Sequence, residues 1–133
     1  MALTSERITP FRDGVDFSDP VAAGAVIYVG ALVALDAAGN LVPGTTATGL
    51  KARGVAMESV DNSAGAAGDQ NCQVRAGVAR FGNDGTITRA DLGATAYIVD
   101  DETVADNDAT GTRSAAGVIV DVDADGVWVK IGL

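Results

Sequence analysis

The densest run of metal-ligating side chains is Asp121-Val122-Asp123-Ala124-Asp125-Gly126. Acids at alternate positions with glycine at the sixth match the opening half of an EF-hand loop, where carboxylates converge on a hard cation and the glycine makes the sharp turn. The second half fails. The twelfth position, where a bidentate Glu closes the cage, is Gly132, and the flanks read as strands rather than helices. Asp-Gly is also a strong hairpin signal. The favoured reading of Asp121, Asp123 and Asp125 is therefore a turn on an acidic surface, with a weak cation site of another type as the alternative. Asp100-Asp101-Glu102 and the pair Asp106 and Asp108 supply carboxylates in number, as glycosidic chemistry needs. Adjacent acids in a loop more commonly form a solvated face, and that reading is preferred.

Other reactive groups are sparse. The chain has no histidine, which removes His-dependent triads, most catalytic zinc sites and the usual general base. Lys51 and Lys130 neither follow glycine nor precede Ser or Thr, so no phosphate-cradling loop is present. No G-x-G-x-x-G opens a helix. Cys72 lies among apolar neighbours in a strand-like run and reads as a buried thiol rather than a nucleophile. The expectation is a protein that is not an enzyme and needs no cofactor.

Charge narrows the partners. The net charge is −9 and the isoelectric point about 4.1. Nucleic-acid binders carry a basic stripe that neutralises phosphates, so nucleic acid is not an expected partner. Anionic membrane surfaces are disfavoured for the same reason. Residues 91–133 hold nine acids against only Arg113 and Lys130, and should build a solvated acidic surface. The opening Met1–Pro10 has no apolar run suited to a signal peptide. No stretch approaches the roughly 20 apolar residues of a membrane span. Synthesis in a cytoplasm without export is expected.

These groups must be positioned by β-structure. Residues 1–20 lack strand or helical periodicity and read as an extended arm, with Arg7, Phe11, Arg12 and Phe17 as groups that dock on a partner. Residues 21–133 form one domain of short β-rich runs separated by Gly, Asn and Asp. Ala25–Asp36 turns at Gly39-Asn40; Arg53–Val60 follows; Cys72–Phe81 reads as one alternating strand with Cys72, Val74, Ala76 and Val78 on one face. Asp61–Asp69 reads as a mobile loop, and Thr88–Gly93 has room for one helical turn. In the closing hairpin, Val127, Val129 and Ile131 share the inner face, which leaves Trp128 and Lys130 outside. Ile119 on the preceding strand is expected to accompany Trp128 at an oligomer or shell interface. The sum is an all-β fold, a small antiparallel β-barrel or sandwich with an N-terminal arm. Aromatics are only 5% of residues, so the core is thin and further apolar burial between subunits is expected.

The order of these runs resembles small tailed-phage capsid cement (head decoration) proteins. The segments concerned are Val26-Ile-Tyr-Val-Gly-Ala-Leu-Val-Ala-Leu-Asp-Ala-Ala-Gly-Asn40, Arg53-Gly-Val-Ala56, Val74-Arg-Ala-Gly-Val78, Leu92-Gly-Ala-Thr-Ala-Tyr-Ile-Val-Asp-Asp101 and Ala116-Gly-Val-Ile-Val-Asp-Val-Asp-Ala-Asp-Gly-Val-Trp-Val-Lys-Ile131. The resemblance spans residues 21–133 and leaves the arm unmatched. It implies a β-barrel that forms homotrimers on the outer surface of the head, binds the major capsid protein and stabilises the shell against internal DNA pressure. Another virion component, such as a tail or fibre domain, and an acidic cell-surface domain binding cations or glycans are the alternatives.

Overall fold

The computed structural model describes residues 2, 4–8 and 15–132. In chain order the strands are β1 (Asp16–Pro20), β2 (Val26–Ile27), β3 (Leu32–Leu35), β4 (Leu41–Pro43), β5 (Lys51–Ala56), β6 (Val60–Asp61), β7 (Asn71–Arg75), β8 (Gly77–Asn83), β9 (Thr95–Ile98), β10 (Thr103–Ala105), β11 (Ala115–Asp123) and β12 (Gly126–Ile131). The fold is all-β, as the punctuation by Gly, Asn and Asp predicts. Among the described residues the one helical turn, a 3-10 turn at Arg89–Asp91, lies within the expected Thr88–Gly93. Thr88 and Asp91 form a capping box there: Thr88 Oγ1 accepts from the Ala90 amide, and Asp91 Oδ2 from the Thr88 amide.

Two units share the strands. The first is an antiparallel sheet ordered β1-β7-β5-β3-β4. It curls until Val21, just past β1, bridges Leu41 at the start of β4. The second is a closed barrel ordered β10-β8-β12-β11-β9. Its seams are antiparallel except β8 against β10, a short parallel contact of Gly82 and Asn83 with Thr103 and Val104. β2 and β6 form a separate ribbon.

β3 belongs to both cores. Its Leu32 and Ala34 join the barrel cluster with Phe81, Ile98, Ile119 and Val129. Its Val33 packs with Val21, Ile27, Leu41, Cys72 and Val74. The unbroken apolar run at 31–35 thus encodes a strand covered on both faces, while the alternating runs elsewhere encode strands with one wet face.

The run Cys72–Phe81 is two strands, not one. Cys72, Val74 and Ala76 are buried as expected, but Val78 is 54% exposed. Gly77, at φ +143°, lies where the chain leaves the first sheet for the barrel and the side-chain parity reverses. Side chains rarely adopt this φ, which is why a glycine marks the crossing.

The body begins before residue 21. Asp16–Pro20 pairs along its whole length with β7, from Asp16 opposite Arg75 to Pro20 opposite Asn71. Arg53 donates to the buried Asp19 from Nε at 2.7 Å and from Nη2 at 3.0 Å. The same guanidinium lies 3.7 Å from the centroid of the Phe17 ring. Phe17, expected on a free docking arm, is therefore part of the folded sheet. Arg7 is exposed, whereas Phe11 and Arg12 lie outside the described residues.

The Asp61–Asp69 loop, expected to be mobile, is tied down by Asn62. This side chain is buried and donates from Nδ2 to the carbonyls of Ala22 and Ala66, both at 3.0 Å. The small residues and glycines around it give no sign of the anchor, because Asn in a polar loop is ordinarily a turn former.

Candidate interface on the outer face of the barrel

β8, β12 and β11 lie side by side, and their register sets which side chains meet on the outer face. Val78 pairs with Lys130, and Lys130 with Val118, giving one cross-strand row. Arg80 pairs with Trp128, and Trp128 with Asp121, giving the next. Directly paired residues point to the same side of a sheet, so Val127, Val129 and Ile131 are left inside, where all three are buried.

Ile119 is not on this face. It is fully buried, paired with the inward Val129. The three consecutive β-branched residues Val118, Ile119 and Val120 hide their parity in the sequence, and the pairing partner decides it. A bulge between Ile119 and Asp121 then lets Val120 and Asp121 both reach solvent. Val118 and Val120, rather than Ile119, are the apolar side chains that accompany Trp128.

The resulting face has an apolar centre and an ion-paired margin. Val78 and Val118 are exposed as the cross-strand neighbours of Lys130, Val120 is exposed at the bulge, and Met57 lines one groove with Val78. The margin is tied to the hairpin turn. Half-buried Trp128 donates from Nε1 to Asp123 Oδ2 at 2.9 Å. Asp123 Oδ1 accepts the Asp125 amide at 2.8 Å and the Gly126 amide at 3.1 Å. Arg80 approaches Asp125 at 3.9 Å and lies 5.8 Å from the centroid of the Trp128 ring. Arg89 meets Asp121 at 3.0 Å.

The three carboxylates therefore go to three different partners: Asp121 to a guanidinium, Asp123 to the indole and the turn amides, Asp125 to a second guanidinium. They do not converge as a coordination shell requires. Among the described residues no cluster of three His, Cys, Asp or Glu is placed to hold a metal ion. The acids of the 100–108 region also serve local turns. Asp100 Oδ1 accepts the Glu102 amide at 2.9 Å, and Asp106 Oδ1 accepts from Asn107 Nδ2 at 2.8 Å. Cys72 is buried, and burial pushes its thiol pKa up, away from the thiolate form a nucleophile needs.

The Trp128 hydrogen bond, followed by the Asp125 amide, holds the Asp123 carboxyl below the ordinary carboxylate range. A folded-state pKa below the unfolded one stabilises the fold above the unfolded value, near 3.9, and that stabilisation is lost as pH falls through the folded value. The indole N–H resonance of Trp128 should therefore titrate with a midpoint below about 3.9, and Asp123→Asn should abolish the titration. A midpoint at or above the ordinary value would show that the bond does not persist in solution.

Alternation in the sequence places Trp128 and Lys130 outward, as found, but puts Val78 and Ile119 on the wrong sides. It misses Met57 altogether, because a lone Met carries no periodic signal. Compared with models of known protein families, with curated proteins and with solved structures, the chain matches none of them.

Proposed function

We propose that this chain is a structural virion subunit, a cement protein that binds the outer surface of a tailed-phage head and stabilises the shell. In this reading it acts as a homotrimer, its partner is the major capsid protein, and it carries out no chemistry. The observation that supports the reading is the outer barrel face, where Val78, Val118 and Val120 stand in solvent beside Trp128. The wet face of an antiparallel sheet is normally polar, and a cluster of exposed apolar side chains marks an interaction surface. Apolar centre, polar margin and a tryptophan anchor are the anatomy of a protein–protein interface. The β11–β12 hairpin that carries this face is one of the segments whose order resembles the cement proteins.

The test is electron cryo-microscopy of intact particles, with density for this chain expected on the outside of the shell. Trp128→Ala should stay folded, because the ring is only half-buried. It should weaken trimer formation or shell attachment by about 2 kcal/mol. Unfolding of the variant would make Trp128 part of the core. Unchanged assembly and attachment would remove this face as the interface.

A further inference from the structure

We propose that residues 4–8 of one copy add as a strand to the uncovered edge of β8 in a second copy, linking copies head to tail. β8 pairs with β12 from Gly77 to Phe81, but on its other side β10 reaches only Gly82 and Asn83. Among the described residues no strand covers that other side of Gly77–Phe81. A sheet edge with unpaired amides and carbonyls is a template for an extended peptide, whose main chain supplies the hydrogen bonds and whose alternate side chains supply selectivity.

Beside this edge runs a groove of about 520 Å3 lined by Val15, Val55, Met57, Arg75, Gly77 and Val78. Its walls are apolar apart from Arg75, which makes no ion pair among the described residues. The groove therefore suits an extended segment with an apolar side chain and an acid on one face. Thr4-Ser5-Glu6-Arg7-Ile8 is such a segment. All five residues are exposed and belong to no helix or strand, and Ile8 is 99% exposed. In a strand Glu6 and Ile8 point the same way, roughly 7 Å apart. Ile8 then meets Val55, Met57 and Val78 while Glu6 meets Arg75, and Arg7 projects from the opposite side.

The occupant comes from a second copy. One end of each groove is already held by its own chain, where the Ala76 amide donates to the Val15 carbonyl at 2.7 Å. The chain's own Ile8 stands in solvent. Donor segment and acceptor groove are different surfaces, so each copy gives and receives, and the contact closes into a ring if the rotation allows. This goes beyond attachment to a shell, and it holds or fails in the free protein.

Sedimentation velocity of the full chain, alone in solution, tests it. Wild type should self-associate. Glu6→Arg and Arg75→Glu should each weaken that association roughly tenfold or more, and the two together should restore much of it. Ile8→Glu should act like the single charge changes while circular dichroism stays that of a folded β-protein. Ile8→Cys with Val78→Cys should form a disulfide between copies. A monomeric wild type, association unchanged by Ile8→Glu, or a disulfide formed within one chain would each overturn the proposal. Association that persists through Ile8→Glu would place the contact elsewhere and leave the shell reading to its own test.

Discussion

Replacing Arg53 with methionine should destabilise the chain by about 3 kcal/mol, since breaking a largely buried ion pair from one side leaves the other charge without a partner. Asp19 is buried at the edge strand β1, and both its oxygens accept from the Arg53 guanidinium. Methionine also removes the flat cation stacked on Phe17. Lysine is no substitute, because it offers neither the two-pronged geometry nor the planar face. The companion variant separates loss of the pair from loss of packing. Arg53→Met combined with Asp19→Leu should recover most of the stability, because the orphaned carboxylate is gone. Denaturant midpoints read both effects. A single variant as stable as wild type would mean that β1 is held by its ladder alone. The same geometry limits truncation from the N-terminus: a cut that stops before Val15 spares the sheet and the Ala76–Val15 hydrogen bond, and one that removes Phe17 does not.

Ile119→Ala should cost about 3 kcal/mol of folding stability, from lost apolar burial and the space left behind. Ile119 is fully closed off in a cluster with Phe81, Ile98, Val127 and Val129, and side chains held in a closed barrel refill such a gap only in part. Whatever remains folded should self-associate like wild type, because Ile119 reaches no outer surface. Thermal or denaturant unfolding together with sedimentation distinguishes the cases. Weakened assembly at unchanged stability would put Ile119 on the outer face.

The two halves of the terminal hairpin differ in how far local sequence reveals them. β12 was legible. Asp125-Gly126 marks the turn, and Val127, Val129 and Ile131 alternate with Trp128 and Lys130, so the inner face follows from period two alone. β11 was not, because Val118-Ile119-Val120 alternates nothing, and a bulge is fixed by the partner strand rather than by the bulged residues. The crossing at Gly77 was hidden for a similar reason. A single glycine inside an alternating run can mark a break or merely weaken a strand, and only the position of Val15 and β12 chooses between them. β1 was the largest omission. Asp-Phe-Ser-Asp-Pro has almost none of the β-branched character of strands, and its partners are β7 and Arg53, the latter thirty-four residues from Asp19. The outer face was read in part: its tryptophan and lysine came from alternation, while its valines came from register.

β3 has a mechanical consequence. Because Leu32 and Ala34 face the barrel while Val33 faces the curled sheet, this strand is a party wall between two rooms. Neither room can be emptied without stripping the wall on that side, so among the described residues β3 is a wall held in common rather than a seam between two separable halves. A push on the barrel is passed through β3 into the sheet behind it, and the pair yields as one block.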